Sequence, residues 1–265
     1  MRAIVLSAGR GERLKPLTDT LPKSLIEIQP GLPLVEAQMR SIAEAGNFSE
    51  VVFVTGYRAS QLEDYLSHCA YVPVSTVFNP FFDISNNLIS LWLAIHKMDE
   101  PFVVINGDDL FSPKLLTDLH TESRDISMVI SRKDHYDVDD MKVVIEGDHI
   151  LKVGKNINLS EAQGESIGMI KFAGLGIDML KAKLNWLVRN PENRNVFWLE
   201  AIQQLIDSNV EVNYVECSPR EWAEMDFHVD LSHVRNRLTN IEQTWHAWRS
   251  ELGRVVPNDK PIIPG

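Results

Sequence analysis

The chain has 265 residues, 44% of them hydrophobic and 24% charged, and a formal net charge of −11; this is the balance of a globular protein long enough for one full core or two small ones. The negative charge argues against a general affinity for nucleic acid or an anionic membrane, and no apolar run approaches the length of a bilayer span. Residues 1–25 run the other way, with Arg2, Arg10, Arg13, Lys15 and Lys23 against Glu12 and Asp19, which suits a small anionic ligand better than a polymer.

Met1-Arg2 leads directly into an apolar stretch and leaves no room for a signal peptide, while Cys69 and Cys217 lie far apart and outside any metal spacing. A cytoplasmic protein with two buried free thiols and no membrane insertion is expected.

Ala3-Ile4-Val5-Leu6 predicts a buried strand that runs into a loop holding Gly9 and Gly11. Val35, Met39 and Ile42 recur at helical spacing up to Gly46-Asn47. Val51 to Val54 is a second strand, ended by Thr55-Gly56-Tyr57; Leu62, Tyr65 and Leu66 mark a helix; Val74 to Phe78 is a third strand, stopped by Asn79-Pro80. Leu88, Leu91, Trp92 and Ile95 form a helical stripe, with Ser85 as its N-cap. Phe102 to Ile105 is a fourth strand, followed at once by Asn106-Gly107-Asp108-Asp109; Pro113 opens a short helix, and Ile126 to Ile130 is a fifth strand. After residue 135 the pattern changes. Met141 to Glu146 and Ile150 to Val153 read as a hairpin around Gly147-Asp148, and Ile167 to Phe172 as a strand. Helices are expected at 177–190 and 196–208, a strand at 211–216, a last helix at 230–250, and a proline-rich tail from Val255 to Gly265.

Strands that alternate with helices and are apolar on both faces indicate an α/β fold with a largely parallel sheet covered on both sides. Ligands of such sheets bind beyond the carboxyl ends of the strands. The loops after Ala8, Thr55 and Asn106 are therefore expected to gather along one edge.

The densest signal is Ser7-Ala8-Gly9-x-Gly11-x-Arg13-Leu14-x-Pro16-Leu17-Thr18 with Pro22-Lys23. Glycine lets the backbone approach a phosphate, successive N–H groups form an anion-binding nest, and Arg10, Arg13, Lys15 and Lys23 supply counter-charge. The loop lacks the Gly-Lys-Ser/Thr of a P-loop and the third glycine of a dinucleotide fingerprint. Gly107-Asp108-Asp109-Leu110-Phe111 sets a carboxylate pair at a strand end, suited to Mg²⁺ or to capping a turn. Trp222-x-Glu224-Met225-Asp226, with Asp230 four residues on, is either the second half of a metal site or a solvated acidic turn. Asn86 and Asn87 carry amides that both donate and accept, so they can read a pyrimidine edge, hold a phosphate oxygen or cap a helix. Trp198 and Trp222 flank Glu200 and Glu224, which fits a cationic head, although tryptophan at helical spacing is also core.

In these stretches the chain resembles the nucleotidyltransferase family that makes nucleoside-diphosphate sugars and CDP-alcohols. Ser7-Ala8-Gly9 stands for the usual Ala-Ala-Gly, and Gly11, Arg13, Leu14, Pro16-Leu17-Thr18 and Pro22-Lys23 fall in register. Where sugar-nucleotide enzymes usually show a glycine-rich loop, Asn86-Asn87-Leu88 with Ser90-Leu91 is similar to the phosphocholine and phosphonate cytidylyltransferase branch. The resemblance implies a three-layer α/β/α Rossmann-like fold with a mostly parallel mixed sheet. It implies a nucleotidyltransferase domain over 1–232, with a nucleotide-binding part over 1–134 and an acceptor-binding lobe over 135–225, then a C-terminal helix and tail over 233–265. Arg13 and Lys23 are then the catalytic cations, and Leu6, Ser7, Ala8, Gly9, Gly11, Gly56, Tyr57, Asn86 and Asn87 bind the nucleotide. Asp108 and Asp226 share Mg²⁺, while Glu165, Trp198, Glu200, Trp222 and Glu224 face the acceptor. The implied partners are CTP and a small phosphorylated or phosphonate amino-alcohol, with a homo-oligomer allowed and no nucleic acid. A sugar-1-phosphate nucleotidyltransferase and a non-catalytic nucleotide-binding regulatory subunit are the alternatives.

Overall fold

The computed structural model describes residues 1–69 and 71–252, without the side chains of Val229 and 242–252; the expected tail at 255–265 lies outside the described residues. In chain order the elements are β1 (Arg2–Ser7), β2 (Glu27–Gln29), β3 (Leu32–Pro33), α1 (Leu34–Ala45), β4 (Glu50–Thr55), α2 (Ala59–His68), β5 (Val74–Phe78) and α3 (Asn87–Leu93). They continue with β6 (Phe102–Asn106), β7 (Asp109–Phe111), α4 (Pro113–Thr121), β8 (Ile126–Ser131), β9 (Lys142–Glu146), β10 (His149–Gly154) and β11 (Gly164–Phe172). The last five are α5 (Gly174–Leu187), α6 (Leu199–Ile206), β12 (Asn213–Cys217), β13 (Trp222–Glu224) and α7 (His228–Leu252).

Nine strands form one sheet in the order β5-β4-β1-β6-β11-β8-β12-β10-β9. The pairs β5–β4, β4–β1, β1–β6 and β8–β12 are parallel, and β11 runs antiparallel between β6 and β8. Residues alternate sides along each central strand. Ile4 and Leu6 of β1, Val52 and Val54 of β4, and Phe102 and Val104 of β6 join α3, α5 and α6 in one core. Ala3 and Val5, Val51 and Phe53, and Val103 and Ile105 join α1, α2 and α4 in the other. This is the expected α/β/α layering, and each fully buried Leu, Ile or Val in it contributes about 1.5–3 kcal/mol. Both cysteines are free and buried. Among the described residues no helix is long and apolar enough to cross a membrane.

Several local features differ from the sequence reading, the short β2–β3 pair among them. The cap of α3 is Asn86, whose side-chain oxygen accepts the N–H of Asn87 at 2.8 Å; the hydroxyl of Ser85 instead donates to the Phe81 carbonyl at 2.7 Å. β11 begins at Gly164, and its register against β8 shifts between Ser166 and Ile170 around Gly168, whose φ is 73°. Finally, β7 and β13 pair antiparallel in a small ribbon outside the main sheet, with Asp109 opposite Glu224 and Phe111 opposite Trp222. Strands of three residues carry too little alternation to be read from sequence.

Candidate active site

β1, β4 and β6 are parallel neighbours, so their carboxyl ends share one edge of the sheet. A cavity of about 960 Å³ opens there. On one side lies the loop after β1. Gly11 has a φ of 63°, and a Cβ on it would come within 3.1 Å of Thr18 and 3.2 Å of Lys23. Glycine is therefore required both by the backbone and by the passage of Lys23 beneath it. The Thr18 hydroxyl closes the turn by donating to the Gly11 carbonyl at 2.9 Å.

The four cations of this loop go to different places. The Lys23 ammonium donates to Asp108 Oδ2 at 2.8 Å and to Asp226 Oδ1 at 3.0 Å. Arg13 donates to Asp226 Oδ2 at 2.5 Å, with Phe227 under its guanidinium at 4.9 Å. Arg10 instead pairs with Asp83 at 2.8 Å, against the rings of Tyr57 and Phe82, and Lys15 pairs with Glu12. All four cations are paired with carboxylates, and of the four only Arg13 and Lys23 line the cavity, so the expectation of four counter-charges there is corrected to two.

The ribbon brings the distant carboxylates together. Asp108 immediately precedes β7 and Asp226 follows β13, so antiparallel pairing sets both at the same end. The N–H of Met225 donates to the Asp108 carbonyl at 3.0 Å and fixes that approach. Asp230 accepts the N–H groups of Asp226 and Phe227 and so holds the turn into α7. Burial opposes ionisation of Asp226, but Lys23 and Arg13 outweigh it and hold the carboxyl below the usual range. Burial likewise opposes the charge on Lys23, and Asp108 and Asp226 reverse that, raising it above an ordinary lysine. Glu224 lines the cavity, and the enclosing protein and Asp108 push its carboxyl up. Asp109, 1% exposed, is pushed well above the carboxylate range by burial first and Asp108 next.

Leu6, Ser7, Ala8, Gly9, Gly11, Arg13, Lys23, Asn86, Asn87, Asp108, Glu165, Trp198, Trp222, Glu224 and Asp226 all line the cavity. Three of the expected residues are placed elsewhere. Gly56 and Tyr57 support the loop from behind: a Cβ on Gly56 would lie 2.6 Å from the Ala8 carbonyl, and Tyr57 donates its backbone N–H to that same carbonyl at 3.0 Å and its hydroxyl to the Thr18 carbonyl at 2.8 Å. Glu200 is exposed on α6 and accepts from Gln204 one turn on at 3.0 Å.

Other side chains reach the cavity with their groups already engaged. Trp198 is 1% exposed and its indole N–H donates to Asn106 at 3.2 Å, so its ring is core and offers no open face. Asn86 is held by its cap and by the Asn195 carbonyl, and Asn87 accepts the Trp198 N–H at 2.8 Å.

Several lining residues escaped the sequence reading: Asp137, Asp139, Asp140, Lys155 and Phe227. The acidic run at 137–140 was visible as composition, but nothing local said that it would face the site. Buried Lys142 donates to the carbonyls of Asp137, Val138 and Asp140, each at 3.2 Å, and thereby pins that run over the cavity. Lys155 lies 3.6 Å from Asp139 and 4.9 Å from the Phe197 ring. Glu165, 7% exposed, shares the Lys133 ammonium with Asp140 at 2.9 and 2.8 Å. Burial pushes Glu165 up to about 7, opposed by Lys133 and assisted by Asp140.

Among the described residues no group of three or more acidic, histidine or cysteine side chains is arranged as a metal cage. The central arrangement is two carboxylates joined through one ammonium and braced by a guanidinium, beside the glycine loop after β1.

Residues 2–140 match the family model described as nucleotidyl transferase, and the chain belongs to that family. It is 34% identical over 119 residues to the choline-phosphate cytidylyltransferase of Streptococcus pneumoniae, a match covering 45% of this chain and 50% of that protein. It is also 34% identical over 114 residues to the N-acetylmuramate alpha-1-phosphate uridylyltransferase of Neisseria meningitidis, covering 42% and 48%. These matches span about half the length of each relative. The fold superposes on the inositol-1-phosphate CTP transferase of T. maritima with a TM-score of 0.75 at 22% identity, over 91% of this chain and 96% of that one. The three-layer nucleotidyltransferase fold follows from these likenesses.

Proposed function

We propose that the protein transfers CMP from CTP to a small phosphorylated or phosphonate amino-alcohol and releases pyrophosphate, with Mg²⁺ held by Asp108 and Asp226. The observation that carries this reading is the meeting of Arg13 and Lys23, from the glycine loop, with those two carboxylates from distant parts of the chain. The donor chemistry fits a hard ion: two carboxylates converge within 3.0 Å of one ammonium, and phosphate and water oxygens would complete its shell. Bound there, Mg²⁺ would neutralise phosphate charge and favour in-line attack at the α-phosphorus.

The chain's own part is positioning and charge. The backbone of Gly9 to Gly11 cradles the triphosphate, while Arg13 and Lys23 compensate charge that builds as pyrophosphate leaves. No general base is required, because a phosphomonoester with a second pKa of about 6 is already mostly dianionic at neutral pH. On the acceptor side, Lys155 offers counter-charge to the attacking phosphate. Asp137, Asp139, Asp140 and Glu165 make the same end acidic, which favours a head carrying positive charge.

The pneumococcal relative favours CTP and an amino-alcohol. The uridylyltransferase relative, equally similar, favours a second reading, transfer to a sugar 1-phosphate. Pyrophosphate release measured over CTP, UTP, GTP and ATP, each with phosphocholine, 2-aminoethylphosphonate and glucose 1-phosphate, decides between them. Turnover with CTP and an amino-alcohol acceptor is expected. Turnover with the sugar phosphate alone transfers the assignment to the second reading, and no release with any pair leaves a nucleotide-binding subunit.

A further inference from the structure

The Lys23 ammonium stands where the two carboxylates converge. It contacts Asp108 Oδ2 at 2.8 Å and Asp226 Oδ1 at 3.0 Å, and Arg13 takes the other oxygen of Asp226 at 2.5 Å. Both oxygens of Asp226 are thus bound to the protein's own cations. A magnesium-sized ion sits about 2.0–2.1 Å from its oxygen ligands. An ion bridging this pair would lie against the ammonium in a partly enclosed cavity, where like charges repel far more strongly than in water.

We infer that Lys23 is an internal competitor of the divalent ion, so that the free enzyme binds the ion weakly and the nucleotide is what makes the site available. This rests on the reading of Asp108 and Asp226 as the metal pair. The Lys23 side chain is only 12% exposed, and its Cβ and Cδ pass within 3.2 and 3.4 Å of the place a Cβ on Gly11 would occupy. The ammonium is therefore leashed beneath the phosphate nest. A triphosphate in that nest gives Lys23 a second anionic partner and frees the carboxylates for the ion. The ion and the nucleotide then favour each other's binding by the same factor, as linkage requires. Lys23 carries that coupling, apart from any part it plays in the transfer step.

The test uses Mn²⁺ alone, without nucleotide, on the full chain, reading free Mn²⁺ by electron paramagnetic resonance. Lys23→Met is expected to bind Mn²⁺ at least tenfold more tightly than wild type. Arg13→Met, which removes an equal charge from the same cavity, is expected to gain no more than about threefold. Adding Asp108→Asn to Lys23→Met should abolish the gain. Lys23→Gln repeats the measurement with a polar side chain of similar length, and cooperative thermal unfolding of each variant establishes that it is folded. Binding by folded Lys23→Met and Lys23→Gln no tighter than wild type overturns the inference. A gain in Arg13→Met as large as in Lys23→Met also overturns it, by attributing the effect to the general field. A gain that survives Asp108→Asn overturns the placement of the metal itself, and this inference with it.

Discussion

At the loop end of the cavity a single stretch of chain, β1 and the turns after it, delivers Ser7, Gly9, Gly11, Arg13 and Lys23. Elsewhere on the cavity wall Asp140, Lys155, Glu165 and Phe197 come from four separate segments around β9, β10, β11 and α6. The first end is built by local backbone geometry: the φ of Gly11, the Thr18 closure and the support of Gly56 behind Ala8. The second is built by side chains that hold one another, with Lys142 pinning the acidic run and Lys133 shared by Glu165 and Asp140. The first geometry travels with a short motif, whereas the second depends on side chains from four distant segments.

The comparison is sharpest where the two carboxylates meet the loop. Lys23→Ala or Asp108→Asn is expected to lower turnover by about 10²–10³ or more, the effect of losing a preorganised charge at the reacting centre. Pyrophosphate release with circular dichroism as a fold check measures it, and near-normal rates would displace the site from this cavity. Next in size, Glu165→Gln should raise KM for the acceptor about tenfold, roughly the value of one charge-assisted contact, and leave KM for CTP within about twofold. An equal rise in both would mean the two ends are not separate.

Glu165 also has a stability signature. Its carboxyl is raised to about 7 in the fold, so the folded state holds a proton that the unfolded chain releases nearer about 4.3. The stabilisation is therefore complete below the unfolded value and is lost as pH rises through about 7. Melting temperature against pH should flatten over that interval in Glu165→Gln.

Smaller still, Tyr57→Phe removes the hydroxyl donated to the Thr18 carbonyl and should cost about 1 kcal/mol of stability, with KM for CTP moving less than about threefold. Denaturant melts measure the first. A larger change in KM would return Tyr57 to the cavity. The smallest effect is expected from Glu200→Ala, which should leave acceptor kinetics unchanged because that side chain is turned to Gln204 on the surface of its own helix.

Much of the layered fold was legible, because buried strands in parallel sheets read as short apolar runs: β1, β4, β6 and β8 all declare themselves this way. The glycine loop was legible because its backbone requires particular residues at particular positions. The ribbon of β7 and β13 was not, since each strand has three residues and their pairing depends on contacts across more than a hundred residues of sequence. That Asp108 and Asp226 were expected together came from family likeness; their spacing carries no such information. Trp198 had two readings, because an indole in the core and an indole facing a ligand have the same sequence pattern; it packs in the core beside the cavity. Arg10 and Lys15 misled for another reason: charge counted along a chain says nothing of which acid is nearest in space.

The third apolar cluster gives α7 a meaning beyond that of a terminal helix. It gathers Leu14, Ile26 and Ile28 from the segment after β1, Leu110 from the ribbon, Met225 beside Asp226, and Val234, Leu238 and Ile241 from α7. The glycine loop and both carboxylate turns are therefore mounted on one common base, distinct from the two cores that hold the sheet. His228 adds a polar fastening, its ring nitrogen 2.6 Å from the Lys15 carbonyl. One apolar cluster thus supports all three parts. A shift in the seating of α7 is therefore expected to reach all three at once.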